Sequence, residues 1–187
     1  MYPGVRQNAG MLELAILGFL YDAPLHGYEL RKRISALTGH VRPVAESTLY
    51  PAIKRLEQAG LLERATEPGS IAAPRHVLTL TEDGRSELRR RLSEPTQRDV
   101  TDENRWFTVL AFLRHLADPV AQAVVLRRRL AFLEEPASFF YDGDRPLRAE
   151  ELDDPFRQGM LTIARATSRA ELSWLRATIE SLDSGGR

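Results

Sequence analysis

Residues 44–60 read Val44-Ala-Glu-Ser-Thr-Leu-Tyr-Pro-Ala-Ile-Lys-Arg-Leu-Glu-Gln-Ala-Gly60. Wound as an α-helix at about 100° per residue, the stretch gathers Leu49, Ala52, Ile53 and Leu56 into one apolar stripe. Ser47, Pro51, Lys54 and Gln58 line the opposite side, with Thr48, Tyr50 and Arg55 on its flanks. Ser47 and Thr48 are residues that cap helices. A Thr48 cap would put Pro51 in the first turn, where its missing N–H does little harm. Gly60 closes the helix as a C′ residue. One-sided helices are common, but this outward face holds hydroxyls, an amide, a tyrosine and two cations, with one carboxylate, Glu57, near its edge. Those groups suit phosphates and base edges in a DNA major groove.

The flanking sequence supplies a frame for that helix. Residues 1–10 read as a flexible arm, and Leu12 to Tyr21 as a buried helix, apolar nearly all round. Asp22 to Gly27 form a turn, and a second helix runs from about Tyr28 to Leu37, with Gly39 ending it. After Gly60 the pattern becomes extended, with strands over 61–66 and 76–80 joined by a long tip. Thr81 then caps a charged helix that reaches Leu92, and Pro95 ends the unit. Three helices, a hairpin and a fourth helix, with the polar helix third, is the order of a winged helix-turn-helix.

Five segments stand in order: Leu14-x-x-Leu17-Gly18, Gly27-Tyr28-Glu29-Leu30, Ser47-Thr48-Leu49-Tyr50-Pro51-Ala52-Ile53, Arg55-Leu56-Glu57-x-x-Gly60-Leu61-Leu62, and Leu80-Thr81-x-x-Gly84-Arg85. Together they resemble the motifs of the PadR family of bacterial transcriptional regulators. The resemblance implies a homodimeric DNA-binding regulator, most often a repressor, dimerised through C-terminal helices. It departs at Val41-Arg42, where an aromatic often precedes the proline, at Leu78, where a tyrosine is common, and in the weakly basic tip Gly69 to Ala73.

Domain organisation follows: an arm over 1–10, a winged helix-turn-helix over 11–95, and a helical dimerisation domain over 96–187 with a mobile loop at about 136–155. The fold class is mainly α with a small β-hairpin wing and antiparallel C-terminal helices. In the second half, Trp106, Val109, Leu110, Leu113 and Leu116 share a face, and Asp118-Pro119 starts a helix to about Glu134. Ala123, Leu126, Leu130 and Leu133 make a coiled-coil-like seam, as do Leu172, Leu175, Ile179 and Leu182 on a last helix from about Phe156 to Ser181. Seams on both helices predict an obligate dimer. The looser match of this half is to the longer branch of the family.

Composition removes other classes. The 187 residues contain no cysteine, which excludes disulfides, thiolate catalysis and cysteine-based zinc sites. No apolar run spans a membrane and no signal-peptide pattern opens the chain, so a cytoplasmic protein is expected. Net charge is zero, although residues 1–92 hold 13 Lys/Arg against 10 Asp/Glu (+3) and residues 93–187 hold 13 against 16 (−3). His26, His40, His76 and His115 show no metal-ligand spacing, and Glu150-Glu151 and Asp153-Asp154 read as solvated loop charges. With no P-loop, dinucleotide fingerprint or nucleophile elbow, neither an enzyme nor a cofactor is expected.

The site residues are therefore Ser47, Thr48, Tyr50, Lys54 and Arg55 on the central helix, with Arg75 and His76 in the wing. The partner is double-stranded DNA with a palindromic operator, read by two heads about 34 Å apart. Trp106 and Phe107 are candidates for stacking a small aromatic effector that releases a repressor, against a packing role for Trp106. Trp174 reads as structural, and Arg127-Arg128-Arg129 as mostly a solvated face. Two alternatives remain: a winged-helix protein-interaction module, or a dimeric DNA binder without an effector.

Overall fold

The structure is a computed structural model that describes residues 4–37, 44–66, 76–135 and 141–185, with side chains from residue 10 onward. Its elements are helices α1 (Gly4–Asp22), α2 (Gly27–Leu37) and α3 (Glu46–Gln58), and strands β1 (Leu25–His26), β2 (Leu62–Thr66) and β3 (His76–Leu80). They are followed by α4 (Glu82–Ser93), α5 (Gln97–Thr101), α6 (Glu103–Phe112), α7 (Pro119–Glu134), β4 (Tyr141–Asp142), β5 (Arg145–Pro146) and α8 (Pro155–Gly185). The chain forms two compact units, residues 1–117 and 118–187. The helices over 97–112 thus fall in the first unit, which continues past residue 95.

In the first unit α1 is the hub, packing against α2, α3, α4, α6 and β3. Leu14, Ile16, Leu17 and Leu20 of α1 are buried, as are Leu30 and Ile34 of α2 and the α3 stripe Leu49, Ala52, Ile53 and Leu56. That stripe is the one the 3.6-residue period assigns. The expected N-cap of α3 needs correction. The helix begins at Glu46, Ala45 occupies the cap position with no side-chain bond, and Pro51 lies inside the helix. The lost N–H falls in the second turn, on the exposed side, where the Ser47 carbonyl it would have met can turn to water. The other end is as expected. Gly60 has φ 70°, its N–H donates to the Glu57 carbonyl at 2.9 Å, and the Leu61 N–H donates to Leu56 at 3.0 Å. These are the two bonds of a Schellman motif.

The hairpin is joined by a strand that periodicity could not reveal. Two-residue β1 pairs antiparallel with β3, Leu25 opposite Leu78 and His26 opposite Val77, giving the order β1-β3-β2. Leu25, Leu62, Leu78 and Leu80 turn inward. Thr81 caps α4 by accepting from the Gly84 N–H at 3.0 Å, and its hydroxyl donates to the Gly60 carbonyl at 2.8 Å. Gly84 seats α4 against the hairpin's base. A Cβ there would stand 2.0 Å from the Leu61 carbonyl oxygen, so no larger residue fits without moving backbone.

Two boundaries differ from expectation. α1 starts at Gly4, inside the predicted arm, because no proline from Val5 onward stops it and Gly10 costs only about 1 kcal/mol. The stretch over 141–151 holds a two-residue ladder around Gly143 (φ 62°) and a 3-10 turn tied by Arg145–Glu151, rather than loop throughout. The Gly39 stop, the wing tip 67–75 with Arg75, and residues 136–140 lie outside the described residues.

The second unit is α7 packed along α8. Asp118 accepts from the Val120 N–H at 2.9 Å with Pro119 at N1, as the sequence indicates. Ala123 and Leu126 of α7 and Leu175 and Ile179 of α8 are buried within this one chain. The two predicted seams therefore serve the intrachain contact. Arg129 departs from the solvated face expected of residues 127–129. It is buried, with its guanidinium bound by Glu171 at 2.8 and 3.0 Å and lying 5.3 Å from the Phe132 ring. A buried guanidinium survives only with such partners.

Candidate nucleic-acid interface

Because the α3 stripe is held inward, its polar side must face out. Ser47, Thr48, Tyr50, Pro51, Lys54, Arg55 and Gln58 are all exposed. The cations of this face differ in freedom. Arg55 donates to Glu13 of α1 at 3.0 Å, and Glu13 also receives Arg91 at 3.4 Å, so Arg55 is tethered toward α1. Arg31 is paired with Glu46, and Arg64 is chelated by Glu57 at 2.8 and 2.9 Å. Among the described residues Lys54 has no ion pair, which leaves its ammonium available to a phosphate or a guanine edge.

The wing brings His76 to the start of β3, exposed, opposite Thr66. Its carbonyl accepts from His26 Nδ1 at 3.2 Å. Arg75, the other expected wing contact, is not among the described residues. Between β1, the start of α2, α3 and the hairpin lies an open cleft of about 500 Å³, with His26, Tyr28, Tyr50, Arg64 and His76 around it. Tyr28 is 74% exposed. The sequence reading named neither His26 nor Tyr28 as a site residue. His26 ends β1 and Tyr28 follows it at the start of α2, so the pairing of β1 with β3 is what brings them to the cleft.

The two effector candidates separate. Trp106 is fully buried in the first unit and presents no open ring face, whereas Phe107, one position on, is 47% exposed. Trp174, read as structural, is instead exposed on α8. The described residues contain no cluster of His, Asp or Glu able to hold a metal ion. None of the described helices is long and apolar enough to cross a membrane.

An outward polar helix, third in order, beside a three-stranded antiparallel sheet is a winged helix-turn-helix. Residues 16–90 match the profile of the transcriptional regulator PadR-like family. The family is one of transcriptional regulators, not of enzymes. A curated relative, the negative transcriptional regulator PadR of Bacillus subtilis (strain 168), is 30% identical over 95 residues. The match covers 50% of this chain and 52% of the relative, about half the length of each. Among solved structures, a transcriptional regulator from Clostridium thermocellum is 27% identical with a TM-score of 0.44, over 48% of this chain and 86% of that one. Bacillus subtilis PadR in complex with operator DNA is 23% identical with a TM-score of 0.42, over 91% and 98% of the two chains.

Proposed function

We propose that this chain is a homodimeric, sequence-specific DNA-binding repressor of transcription, in which α3 of each subunit enters a major groove of a palindromic operator. The observation that carries this reading is the outward face of α3, where Ser47, Thr48, Tyr50 and Lys54, which has no ion pair among the described residues, stand in solvent on a helix whose other face is closed. Base edges need donors and acceptors held on a rigid element, and this face offers them. The negative sense of regulation follows the curated relative. Arg75 and His76 are the proposed wing contacts, placing the protein on the duplex without choosing sequence.

The dimer reading is supported by α8. With its Leu175 side turned to α7, it exposes Phe156, Met160, Ile163, Thr167, Ala170 and Trp174, spaced alternately four and three residues apart. Phe156 is 86% and Ile163 69% exposed. That is a heptad stripe on the helix's open side, the pattern that seats a second helix. A small aromatic effector is the proposed switch. Phe107 is the ring open to it, and Trp106 is reachable only if the packing around α6 opens.

Selection of bound sequences from a random duplex pool tests the function. An enriched palindrome supports a dimeric reader. No enrichment, with the protein still folded, leaves a protein-interaction module, a reading favoured by the carboxylates that hold Arg31, Arg55 and Arg64.

A further inference from the structure

Arg55 differs from Arg64 in how it is held. Arg64 spends Nε and Nη2 on the two oxygens of Glu57, at 2.8 and 2.9 Å, so one edge of its guanidinium is closed. Arg55 gives only its Nε, to Glu13 Oε1 at 3.0 Å, and among the described residues nothing engages its terminal nitrogens. Those nitrogens carry most of the guanidinium N–H groups, set in a planar fork that fits two phosphate oxygens. The Arg55 side chain is 50% exposed and that of Glu13 15%. The bond therefore fixes the inner end of the group and leaves the outer end open.

Glu13 is itself anchored. It lies on α1, and its Oε2 accepts from Arg91 of α4 at 3.4 Å. Arg91 in turn donates its Nε to Glu87 of the same helix at 2.7 Å. A carboxylate gripped from α4 has little freedom to follow a moving arginine, so Arg55 is held to it. A long side chain ordered in advance loses less conformational freedom on binding. Because Glu13 divides its charge between two guanidiniums, it does not cancel Arg55 outright. Arg55 also occupies the last turn of α3, whereas the first turns of a reading helix meet base edges. A cation there suits the phosphate wall of the groove.

We propose that Glu13 is a positioning residue for DNA binding: from α1 it orients the Arg55 guanidinium through Nε, so that the terminal nitrogens present a preset fork to one backbone phosphate. The proposal rests on the DNA-binding reading above. It gives a role to a carboxylate that by charge alone would oppose DNA.

The sign of one substitution separates positioning from simple electrostatics. Removing a carboxylate beside a DNA-binding surface strengthens binding if only charge counts, and weakens it if the group holds a phosphate contact in place. The full chain is measured by fluorescence anisotropy at low salt, on a selected operator and on a mixed-sequence duplex. Arg55→Ala is expected to weaken both by about fivefold and to lower the salt slope by about one unit per subunit. Glu13→Ala, or Glu13→Met should the alanine variant not fold, is expected to weaken both by about threefold. Glu13→Gln, whose amide oxygen can still accept from Nε, is expected to bind at least as tightly as the wild type. In an Arg55→Ala background neither change at Glu13 is expected to matter. Tighter binding without the Glu13 side chain overturns the proposal, and so does a loss that persists in the Arg55→Ala background. If Arg55→Ala binds every duplex as the wild type does, the positioning role falls and the DNA-binding reading stands. A wild type that binds no duplex overturns both.

Discussion

The first unit closes its amphipathic helices and the second leaves one open. In α3 the whole stripe from Leu49 to Leu56 is at most 2% exposed, covered by α1 and the sheet. In α8 the buried side, at Leu175 and Ile179, is matched by an opposite side with Phe156, Met160, Ile163 and Trp174 in solvent. The same physical rule, that apolar faces are buried, applies to both. The first unit satisfies it within one chain. The described elements of the second leave one side of its 31-residue helix in solvent, the side assigned above to the proposed dimer contact.

One substitution made in both places tests this contrast. Ile53→Ala removes buried methylenes from a site with no access to water, and about 2–5 kcal/mol of folding stability is expected to go with them. The check is chemical denaturation followed by circular dichroism. Ile163→Ala removes a similar side chain from solvent and is expected to leave the folding of an isolated subunit within about 0.5 kcal/mol. Equal losses at the two sites would mean that the α8 stripe is already covered.

A charge on the open stripe sharpens the point. Ile163→Asp puts a carboxylate where a partner helix would pack, and the dissociation constant of the proposed dimer is expected to rise at least a hundredfold, about 2.7 kcal/mol. Sedimentation at micromolar concentration reads this directly. An unchanged mass distribution would move the interface off this face, while loss of helicity would mean that Ile163 serves the subunit's own fold.

The contrast also bears on what the sequence could reveal. The period of α3, the Gly60 stop, the Thr81 cap and the Asp118-Pro119 start are all local signals, and each of them stands in the structure. β1 was not legible because two residues have no period, and only long-range pairing with Leu78 and Val77 makes a strand of them. On α8 two apolar stripes coexist. The leucine-rich one drew attention as a dimer seam but is used against α7, leaving the less obvious Phe156–Trp174 stripe outside. Arg129 shows the same limit, since only the placement of Glu171 explains an arginine turned inward. Of the site, the α3 positions could be read from the helix alone. The freedom of Lys54 and the tethering of Arg55 to Glu13 could not, because that carboxylate lies 42 residues away.

That difference in tethering gives a graded expectation on the reading face. Lys54→Ala is expected to weaken operator binding by about 1–3 kcal/mol if the ammonium reads a base. Arg55→Ala, whose guanidinium is already engaged by Glu13, is expected to cost less in affinity. Fluorescence anisotropy on the selected operator separates them, and the reverse ranking would mean that Arg55 leaves Glu13 when DNA arrives.

The smallest effect distinguishes the two units by proton chemistry. All four histidines lie at or before residue 115, so no histidine titrates in the second unit. His115 is buried against Tyr21, with ring centroids 4.3 Å apart, and its Nε2 has no hydrogen-bond partner among the described residues, with Asp22 Oδ1 at 3.7 Å. Burial, above all, holds its pKa below the ordinary histidine value, helped by the positive charges of Arg114 and Arg85, while Asp22 pulls the other way. With the folded pKa depressed, the unfolded chain takes up the proton first. Stability is therefore complete above about pH 6.5 and declines as pH falls from there through the folded-state value. The ionic carboxylates act in a separate, lower window. Glu87, held near pKa 2 chiefly by its bond to Arg90, loses its contribution only as pH drops below about 4.5. His115→Phe keeps an aromatic ring against Tyr21 and removes the titration, so its melting temperature is expected to fall less between pH 7 and pH 5 than that of the wild type. Hydrogen exchange across the same range is expected to loosen peptides of α1 and α6 while those of α7 and α8 hold steady. A variant that tracks the wild type through this window would mean that His115 is not the group that makes the first unit acid-sensitive.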